Sequence, residues 1–315
     1  MSGTGFKPRV LLPNALDPDA ENRLGQHAEL LRPDATDSKS LCAAIADCDA
    51  LIVRTHTPVT RELLSAGKRL CVVGVAGVGL DNVDLAAAEA LGIKVLSKPD
   101  AASDAVAELT VALMLQLLRP IPGLAEQYRT GSFRQARAAA HGDELREKTV
   151  GIIGMGRIGS RVARICSAGF GAHVFYNDIV DVGPLSFDAT CAEQADVFAR
   201  SDIITLHVPL TDATRGMIDA SALERFKPSA LLINTARGAV VDTDALRAAL
   251  NADSLAGAAL DVVTPEPLPV DHELFQCEHC ILTPHIAART HSGLRNMMGI
   301  ADDVLAHLLR SAPRS

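Results

Sequence analysis

The segment that most constrains the fold is a glycine-rich turn in the middle of the chain, "GMGRIG" (154–159). It directly follows an apolar run, "TVGII" (149–153), and opens a stretch of helical spacing, while Asp178 ends the next apolar run about 20 residues later. The first glycine would allow a tight turn, the second a close approach of the backbone to a pyrophosphate, and the third close packing of helix on strand. In this context the motif predicts a dinucleotide-binding turn, whereas the glycines alone would be weak support.

Along the chain, short apolar runs rich in β-branched residues alternate with Ala- and Leu-rich stretches of helical spacing. Strands separated by helices predict parallel sheets, because parallel strands need a crossover connection. Such runs occur before residue 100 and again over 149–283, where six of them give the count of a doubly wound dinucleotide domain. The expected fold class is therefore α/β, with two doubly wound parallel-sheet domains.

The segment between the two series is expected to begin with a long helix. Ser103 is a suitable N-cap, and two prolines should end the helix at about Arg119. Residues 123–147 are polar and are expected to be irregular. One more helix is expected over about 290–310, from its apolar spacing.

Composition and charge argue against several classes of protein. The formal net charge is −8 and the basic residues are scattered, so no nucleic-acid partner is expected. No apolar run reaches the roughly 18–20 residues of a membrane span, so no membrane partner is expected either. Seven dispersed cysteines, an odd number, are typical of a reduced protein and predict a cytoplasmic location. Only one Cys-x-x-Cys pair exists, Cys277 and Cys280, and structural zinc needs four ligands, so no metal is expected.

Ionisable residues follow three successive strands predicted in the second series. Arg237 follows "ALLIN", Asp261 and Glu266 follow "AGAAL", and His285 follows "CILT". Taken singly, each would usually be a surface or loop residue. Together, at the carboxyl edge of a parallel sheet, they supply what hydride transfer to a 2-oxo acid needs. An arginine binds the carboxylate and polarises the ketone, a histidine protonates the oxygen, and a glutamate holds the imidazole.

Asp178 bears on the choice of cofactor. A carboxylate at the end of this strand would accept hydrogen bonds from the ribose hydroxyls of the adenosine and would repel a 2′-phosphate. No arginine follows in "YNDIVDVG" (176–183) to bind such a phosphate. The sequence therefore predicts NAD rather than NADP.

Over about residues 8–310 the chain resembles the D-isomer-specific 2-hydroxyacid dehydrogenase family. The resemblance is carried by "GMGRIG", "LHVPLTDATRGMID" (206–219), "INTARGAVVD" (233–242), "LDVVTPEPL" (260–268) and "LTPHIAART" (282–290). It implies that Arg237, Glu266 and His285 are the catalytic set. It implies an NAD-dependent enzyme that interconverts a small 2-oxo acid and its D-2-hydroxy acid.

The resemblance also implies how the domains and subunits are organised. A Rossmann NAD domain, 102–286, would be inserted in a smaller flavodoxin-like substrate domain formed by 1–101 and 287–315. A homodimer would assemble through the 103–148 region.

Two further sets of residues are assigned by the resemblance alone, with Asp261 expected to orient the nicotinamide amide. The implied cofactor-binding residues are Gly154, Gly156, Arg157, Ile158, Gly159, Asp178, His207, Val208, Pro209, Thr214, Thr235, Ala236, Asp261 and Ala287. The implied substrate-binding residues are Arg54, Ala76, Gly77, Val78 and Gly79.

The substrate is less constrained than the reaction. The phosphoglycerate dehydrogenase branch usually carries Arg where this chain has Val75 and Asn where it has Ala102. Burying a phosphate with fewer partners is costly, so glyoxylate or hydroxypyruvate is favoured over a phosphorylated 2-oxo acid. Phosphoglycerate dehydrogenase stays the alternative. A non-catalytic NAD-sensing corepressor on the same fold is the second.

Overall fold

The computed structural model describes residues 7–311, which form two compact units. The first unit contains the chain up to Ala102 and again from Arg289, and the second is Ser103–Ala288. The unit boundaries lie one and two residues from the positions expected from the sequence.

The first unit is built on five parallel strands in the order β2-β1-β3-β4-β5, the order of flavodoxin-like sheets. Its elements up to the second unit are β1 (Arg9–Leu11), α1 (Pro18–His27), β2 (Glu29–Leu31), α2 (Ser38–Ile45), β3 (Ala50–Val53), α3 (Arg61–Ala66), β4 (Val72–Val75), α4 (Leu85–Ala90) and β5 (Lys94–Leu96). The two middle strands β3 and β4 are buried at every position, as expected for strands covered by helices on both faces. The edge strand β2 was not expected, because its three residues, Glu29–Leu31, include no β-branched side chain to indicate a strand.

The second unit is built on seven parallel strands in the order β12-β11-β10-β9-β6-β7-β8. Its elements are α5 (Ser103–Leu118), α6 (Ile121–Arg129), α7 (Phe133–Ala139), β6 (Thr149–Ile153), α8 (Arg157–Arg164), β7 (His173–Asn177), β8 (Thr190–Cys191), α9 (Gln194–Arg200), β9 (Ile203–Leu206), α10 (Ala220–Leu223), β10 (Leu231–Asn234), α11 (Thr243–Asn251), β11 (Gly257–Leu260) and β12 (Cys280–Leu282). All six strands expected from the sequence are present. The seventh, β8, is an exposed two-residue edge strand with no apolar run to reveal it.

The chain order creates a reversal point in this sheet. From β6 the chain runs outward to β7 and β8, and it then returns to β9 on the other side of β6. In open parallel sheets, ligands bind at the carboxyl ends of the strands where the order reverses. The glycine turn follows β6 at this point.

Helices α6 and α7 occupy the segment that was expected to be irregular, so that expectation was wrong. The periodic apolar pattern of a packed helix is missing because α6 has no buried residue and α7 has only Ala136. Pro122 lies in the first turn of α6, where proline is tolerated.

Helix α5 lies where it was expected and packs into the core of the second unit through Ala107, Val111 and Met114. Ser103 is its first helical residue and not the N-cap that was expected, and its hydroxyl makes no hydrogen bond with the described residues. Within residues 7–311 no single helix is long and apolar enough to cross a membrane. Taken together, α5 and α6, which are bent by 59° relative to each other, are long and apolar enough to do so, by length and composition alone.

After the second unit the chain completes the first with α12 (His291–Met298) and α13 (Ile300–Ser311). A single helix was expected here, and the chain instead forms two that meet at Gly299. Gly74 in β4 allows α13 to pack closely, because a Cβ at this position would lie 2.5 Å from Cγ2 of Val304.

Candidate active site

The glycine turn has the geometry of a phosphate-binding loop. Gly154 has a φ of +93°, and a Cβ there would lie 2.6 Å from the carbonyl oxygen of His207. A Cβ at Gly159 would overlap the carbonyl oxygen of Gly154. A Cβ at Gly156, in contrast, would meet no atom within 4 Å. Two glycines are therefore required by the fold itself, and Gly156 keeps open the space in front of α8.

The N-terminus of α8 is open to an anion. Gly156 is its N-cap, and no side chain of the described residues caps the helix. Arg157 and Ile158, two of the expected cofactor-binding residues, form its first turn. The free N–H groups and the partial positive charge of a helix start suit a pyrophosphate. The space at Gly156 and the uncapped helix thus fit the phosphates of a dinucleotide.

Asp178 lies directly beside this turn. Its Oδ2 accepts a hydrogen bond from the Met155 N–H at 2.6 Å, and its Oδ1 accepts one from the Val180 N–H at 3.1 Å. The carboxylate is half-buried and held in place by backbone groups. Each oxygen keeps a lone pair that could accept a hydrogen bond from a ribose hydroxyl.

The segment after β9 lies on the other side of the glycine turn. Burial lowers the pKa of His207 from 6.5 to about 3, so its imidazole is neutral at physiological pH. Its Nε2 lies 3.0 Å from the hydroxyl of Thr205. Thr214 closes the following loop by donating to the Pro209 carbonyl at 2.6 Å. The Val208 side chain would touch a Cβ at Gly154, at 3.0 Å. This part of the expected cofactor set is therefore brought together at the reversal point.

His285 and Glu266 form a side-chain pair within hydrogen-bonding distance near the ends of β12 and β11. The Nδ1 of His285 lies 2.7 Å from Oε1 of Glu266, and the side chains are 47% and 43% exposed. His285 has a left-handed φ of 53°, which is uncommon for a residue with a side chain. With the Nδ1–H donating to the carboxylate, Nε2 is the ring atom left to carry or exchange a proton.

Asp261 fixes the turn that carries His285. This carboxylate is 1% exposed and accepts three hydrogen bonds: from the Thr283 hydroxyl at 2.6 Å and from the N–H groups of Ile286 and Ala287 at 2.8 Å each. The His285 N–H donates to the Asp261 carbonyl at 3.0 Å. The hydrogen bonds of the Asp261 carboxylate with described residues are thus all within residues 283–287, around His285, and its expected contact with nicotinamide stays a prediction.

Arg237 follows β10, which lies next to β11 in the sheet. Its guanidinium is half-buried and donates through Nη1 to the Ala236 carbonyl at 2.7 Å. A Cβ at Gly238 would overlap the carbonyl oxygen of Val263, so the arginine turn lies directly against the segment that leads to Glu266. Thr235, another expected cofactor residue, is braced against α5 by a 2.8 Å hydrogen bond to Thr110.

The expected substrate-binding residues lie in the first unit, at the carboxyl ends of β3 and β4. The Arg54 N–H donates to Oδ1 of Asn14 at 3.1 Å, and Ala76 donates to the Val53 carbonyl at 2.8 Å. Gly77 packs on the methyl group of Thr55, with no room for a Cβ, so the two loops adjoin. Burial, with the charge of Arg289 as the second cause, lowers the pKa of Arg54. The sequence had not pointed to Arg289.

A metal site is not assembled around the cysteines. Within residues 7–311 no group of three or more His, Cys, Asp or Glu side chains could hold a metal ion. All seven cysteines lie in this range and are free thiols.

Comparison with known proteins decides the family. Residues 111–287, more than half of the chain, match the NAD binding domain of the D-isomer specific 2-hydroxyacid dehydrogenases. The chain belongs to this family. The matched domain contains the glycine turn, Asp178, Arg237, Glu266 and His285, and therefore carries the nicotinamide cofactor site of the family.

Individual family members show the range of relatives. D-3-phosphoglycerate dehydrogenase of Mycobacterium bovis is 38% identical over 290 residues, which are 90% of this chain and 53% of that protein. The chain therefore spans about half the length of this relative. Glyoxylate reductase of Aeropyrum pernix is 36% identical and covers 98% of this chain and 95% of its own. The structure of the NADPH-dependent glyoxylate/hydroxypyruvate reductase of Sinorhizobium meliloti, in complex with NADP and malonate, superposes with a TM-score of 0.88 at 31% identity, covering 98% of this chain and 96% of that one.

Sequence reasoning missed three groups of this dehydrogenase-family site. They are the Met155 N–H that binds Asp178, the Thr110 hydroxyl on α5, and Asn234 at the end of β10. The first two show no sequence signal, since one is a backbone group and the other lies in a distant helix. Asn234 had a signal, because it is a polar residue at the end of an apolar strand.

Proposed function

We propose that the protein is an NAD-dependent D-2-hydroxyacid dehydrogenase that reduces a small 2-oxo acid of the glyoxylate or hydroxypyruvate type. The observation that carries the proposal is the 2.7 Å pair of His285 and Glu266, which follows β11 and β12 of a domain matching the family's NAD binding domain. A histidine held by a carboxylate at this sheet edge can deliver a proton to a substrate oxygen.

In the proposed reaction NADH, when bound, supplies the hydride. Arg237 binds the carboxylate of the 2-oxo acid through its guanidinium and polarises the neighbouring ketone. His285 donates the proton on Nε2 to the ketone oxygen as that oxygen gains negative charge. Glu266 stabilises the charged imidazolium before transfer and keeps the ring oriented after it. The reverse reaction uses the same groups, with neutral His285 as the base.

The proposed cofactor is NAD. Asp178 is fixed against the glycine turn by two backbone N–H groups, so a 2′-phosphate would meet a carboxylate that is held in place. The NADPH-dependent structural neighbour shows that cofactor choice varies within the family, and the choice here is argued from Asp178 alone.

The proposed preference for an unphosphorylated substrate rests on two buried positions. Val75 is 0% and Ala102 is 1% exposed, so neither position offers a polar group to a phosphate. The match to a glyoxylate reductase over nearly the full length of both chains agrees with this choice.

The second candidate, a D-3-phosphoglycerate dehydrogenase, is favoured by a different observation. Arg54 and Arg289 lie close enough that the charge of one lowers the pKa of the other. Two neighbouring cations suit a substrate with two anionic groups. Several relatives at 36–38% identity also carry that name.

The deciding experiment compares kcat/KM for glyoxylate, hydroxypyruvate and 3-phosphohydroxypyruvate with NADH under identical conditions. We expect hydroxypyruvate or glyoxylate to be reduced best. The second candidate would be assigned if kcat/KM were at least tenfold higher for 3-phosphohydroxypyruvate than for the other two acids. Arg289→Ala should then lower kcat/KM for the phosphorylated compound and leave it unchanged for the others. NADH binding without turnover of any 2-oxo acid would instead assign a non-catalytic NAD sensor.

The proposal includes the organisation of the whole protein. The second unit is the cofactor domain, and the first, with Arg54 and residues 76–79, is the substrate domain. A homodimer forms through the 103–148 region, where Ile121, Tyr128 and Phe133 expose 65%, 63% and 49% of their surface. A cytoplasmic location agrees with the seven free thiols. Light scattering of the purified chain tests the dimer.

A further inference from the structure

We propose that Asn234 is a positioning residue that fixes the orientation of Arg237. The inference rests on the proposed function, in which Arg237 contacts the carboxylate of the 2-oxo acid.

Asn234 is the last residue of β10 and is 0% exposed. Its Oδ1 accepts a hydrogen bond from the Ala236 N–H at 3.0 Å, and its Nδ2 donates to the Arg237 carbonyl at 2.9 Å. The side chain therefore holds the two peptide groups that flank the Ala236–Arg237 peptide, one through its N–H and the other through its carbonyl. The carbonyl of the Ala236–Arg237 peptide between them accepts the hydrogen bond from the arginine Nη1, at 2.7 Å. One amide thus constrains, from both ends, the peptide on which the guanidinium rests.

The sheet does not need a polar residue at this position. In the two flanking strands, the residues in register with Asn234 are Leu206 and Leu260, and both are buried. An unpaired amide in this apolar layer would cost stability, and here both of its polar atoms are hydrogen-bonded. The partners are all in the arginine turn, so the turn accounts for the asparagine and the packing of the strand does not.

The turn is also held from outside by two further contacts. The Asp261 N–H donates to the Asn234 carbonyl at 2.9 Å, and Thr235 is bound to Thr110 at 2.8 Å. These contacts fix where the strand ends, but neither of them reaches residues 236 and 237. The side chain of Asn234 connects the strand end to both of these residues by hydrogen bonds. Loss of its donor should leave the fold intact and free the arginine to move by a fraction of an ångström, which is enough to impair catalysis.

The test uses Asn234→Asp in the full chain with NADH bound. Aspartate keeps the size and the acceptor toward the Ala236 N–H, but it presents an oxygen to the Arg237 carbonyl. We expect kcat/KM for the preferred 2-oxo acid to fall roughly 10- to 100-fold, and the dissociation constant of oxamate, a non-reducible analogue, to rise by a similar factor. The dissociation constant of NADH should change less than twofold. The same substitution at the exposed Asn251, Asn251→Asp, should change none of these values.

A double-mutant cycle separates positioning from a general structural role. If Asn234 acts through Arg237, adding Asn234→Asp to Arg237→Ala should change kcat/KM and oxamate affinity less than twofold. Equal losses in both backgrounds would overturn the inference. Weaker NADH binding by Asn234→Asp and Asn234→Leu, or unfolding of both variants, would also overturn the inference. Asn234→Leu introduces the residue that the flanking strands have at this register position.

The inference and the proposed function fail differently. If Arg237→Ala lowers activity and oxamate affinity while Asn234→Asp changes neither, only the inference is wrong. If Arg237→Ala itself changes neither, the role of Arg237 in the proposed function is wrong, and the inference is overturned with it.

Discussion

The Nδ1 of His285 lies 2.7 Å from Oε1 of Glu266, and the two side chains reach this distance from loops that follow different strands. The backbone of His285 is in the left-handed region, where its N–H donates to the carbonyls of Asp261 and Thr283 at 3.0 and 2.9 Å. Such a conformation costs free energy and persists only where surrounding contacts enforce it. The imidazole is therefore oriented before a substrate arrives.

Replacing His285 tests the proton donor. In His285→Asn we expect kcat for 2-oxo acid reduction to fall by roughly 10²–10⁴, because no group then donates the proton. Asparagine is preferred to alanine because it tolerates the left-handed backbone. The dissociation constant of NADH, measured by fluorescence, should stay within about twofold. An unchanged kcat would exclude His285 as the donor.

Replacing Glu266 tests whether its carboxylate supports the proton transfer by His285. Glu266→Gln keeps an oxygen for the His285 Nδ1–H but removes the negative charge that stabilises the imidazolium. We expect kcat to fall by roughly tenfold or more with NADH affinity retained. The control is Glu273→Gln, which removes an exposed carboxylate paired with Arg247. Equal activity of the two variants would make Glu266 an ordinary loop residue.

Replacing Asp178 tests cofactor choice. The unmutated protein should prefer NADH to NADPH in kcat/KM. Asp178→Asn should narrow that preference by removing the charge while keeping an acceptor for the Met155 N–H. Asp178→Ala should narrow it as well and should also weaken NADH binding, since the turn loses a hydrogen bond. Equal use of both cofactors by the unmutated protein would contradict the proposal.

The glycine turn allows a sharper comparison. Gly154→Ala should lower the free energy of unfolding by at least about 1–3 kcal/mol, because of its positive φ and its contact with the His207 carbonyl. Gly156→Ala should leave the free energy of unfolding within about 1 kcal/mol but weaken NADH binding by roughly tenfold or more. Urea unfolding and NADH titration measure the two effects. If Gly156→Ala binds NADH normally, the pyrophosphate does not approach this residue.

His207 predicts a pH dependence of stability. Its pKa is about 3 in the folded protein, because of burial, against an ordinary value of 6.5. The unfolded chain therefore binds a proton below pH 6.5 that the folded chain does not, and the free energy of unfolding should fall as the pH falls from 6.5 toward 3. The free energy of unfolding that the cofactor-free protein loses between pH 7 and pH 5 should be smaller in His207→Gln, by no more than about 1–2 kcal/mol. The exposed His173 provides the control, His173→Gln, which should leave the loss unchanged.

The sequence by itself determined the α/β class, six of the seven strands of the cofactor unit, the glycine turn and the family. These features depend on local pattern: a buried parallel strand is an apolar run, and Gly154 and Gly159 are required by contacts made within one strand–turn–helix unit. The strand ends also marked Arg237, Glu266 and His285, because parallel strands deliver their carboxyl ends to one edge. Helices α6 and α7 and the edge strands β2 and β8 were not predicted, since an element that buries little has no periodic signal.

Only the tertiary structure decided how those residues are held. The carboxylate of Asp261 accepts hydrogen bonds from the N–H groups of Ile286 and Ala287, a role that no sequence pattern indicated. The proposed positioning of Arg237 by Asn234 also depends on tertiary structure, because the residues in register with Asn234 in the flanking strands are leucines. Hydrogen bonds between residues far apart in sequence depend on backbone positions set by the packed sheet, and no spacing in the sequence encodes those positions.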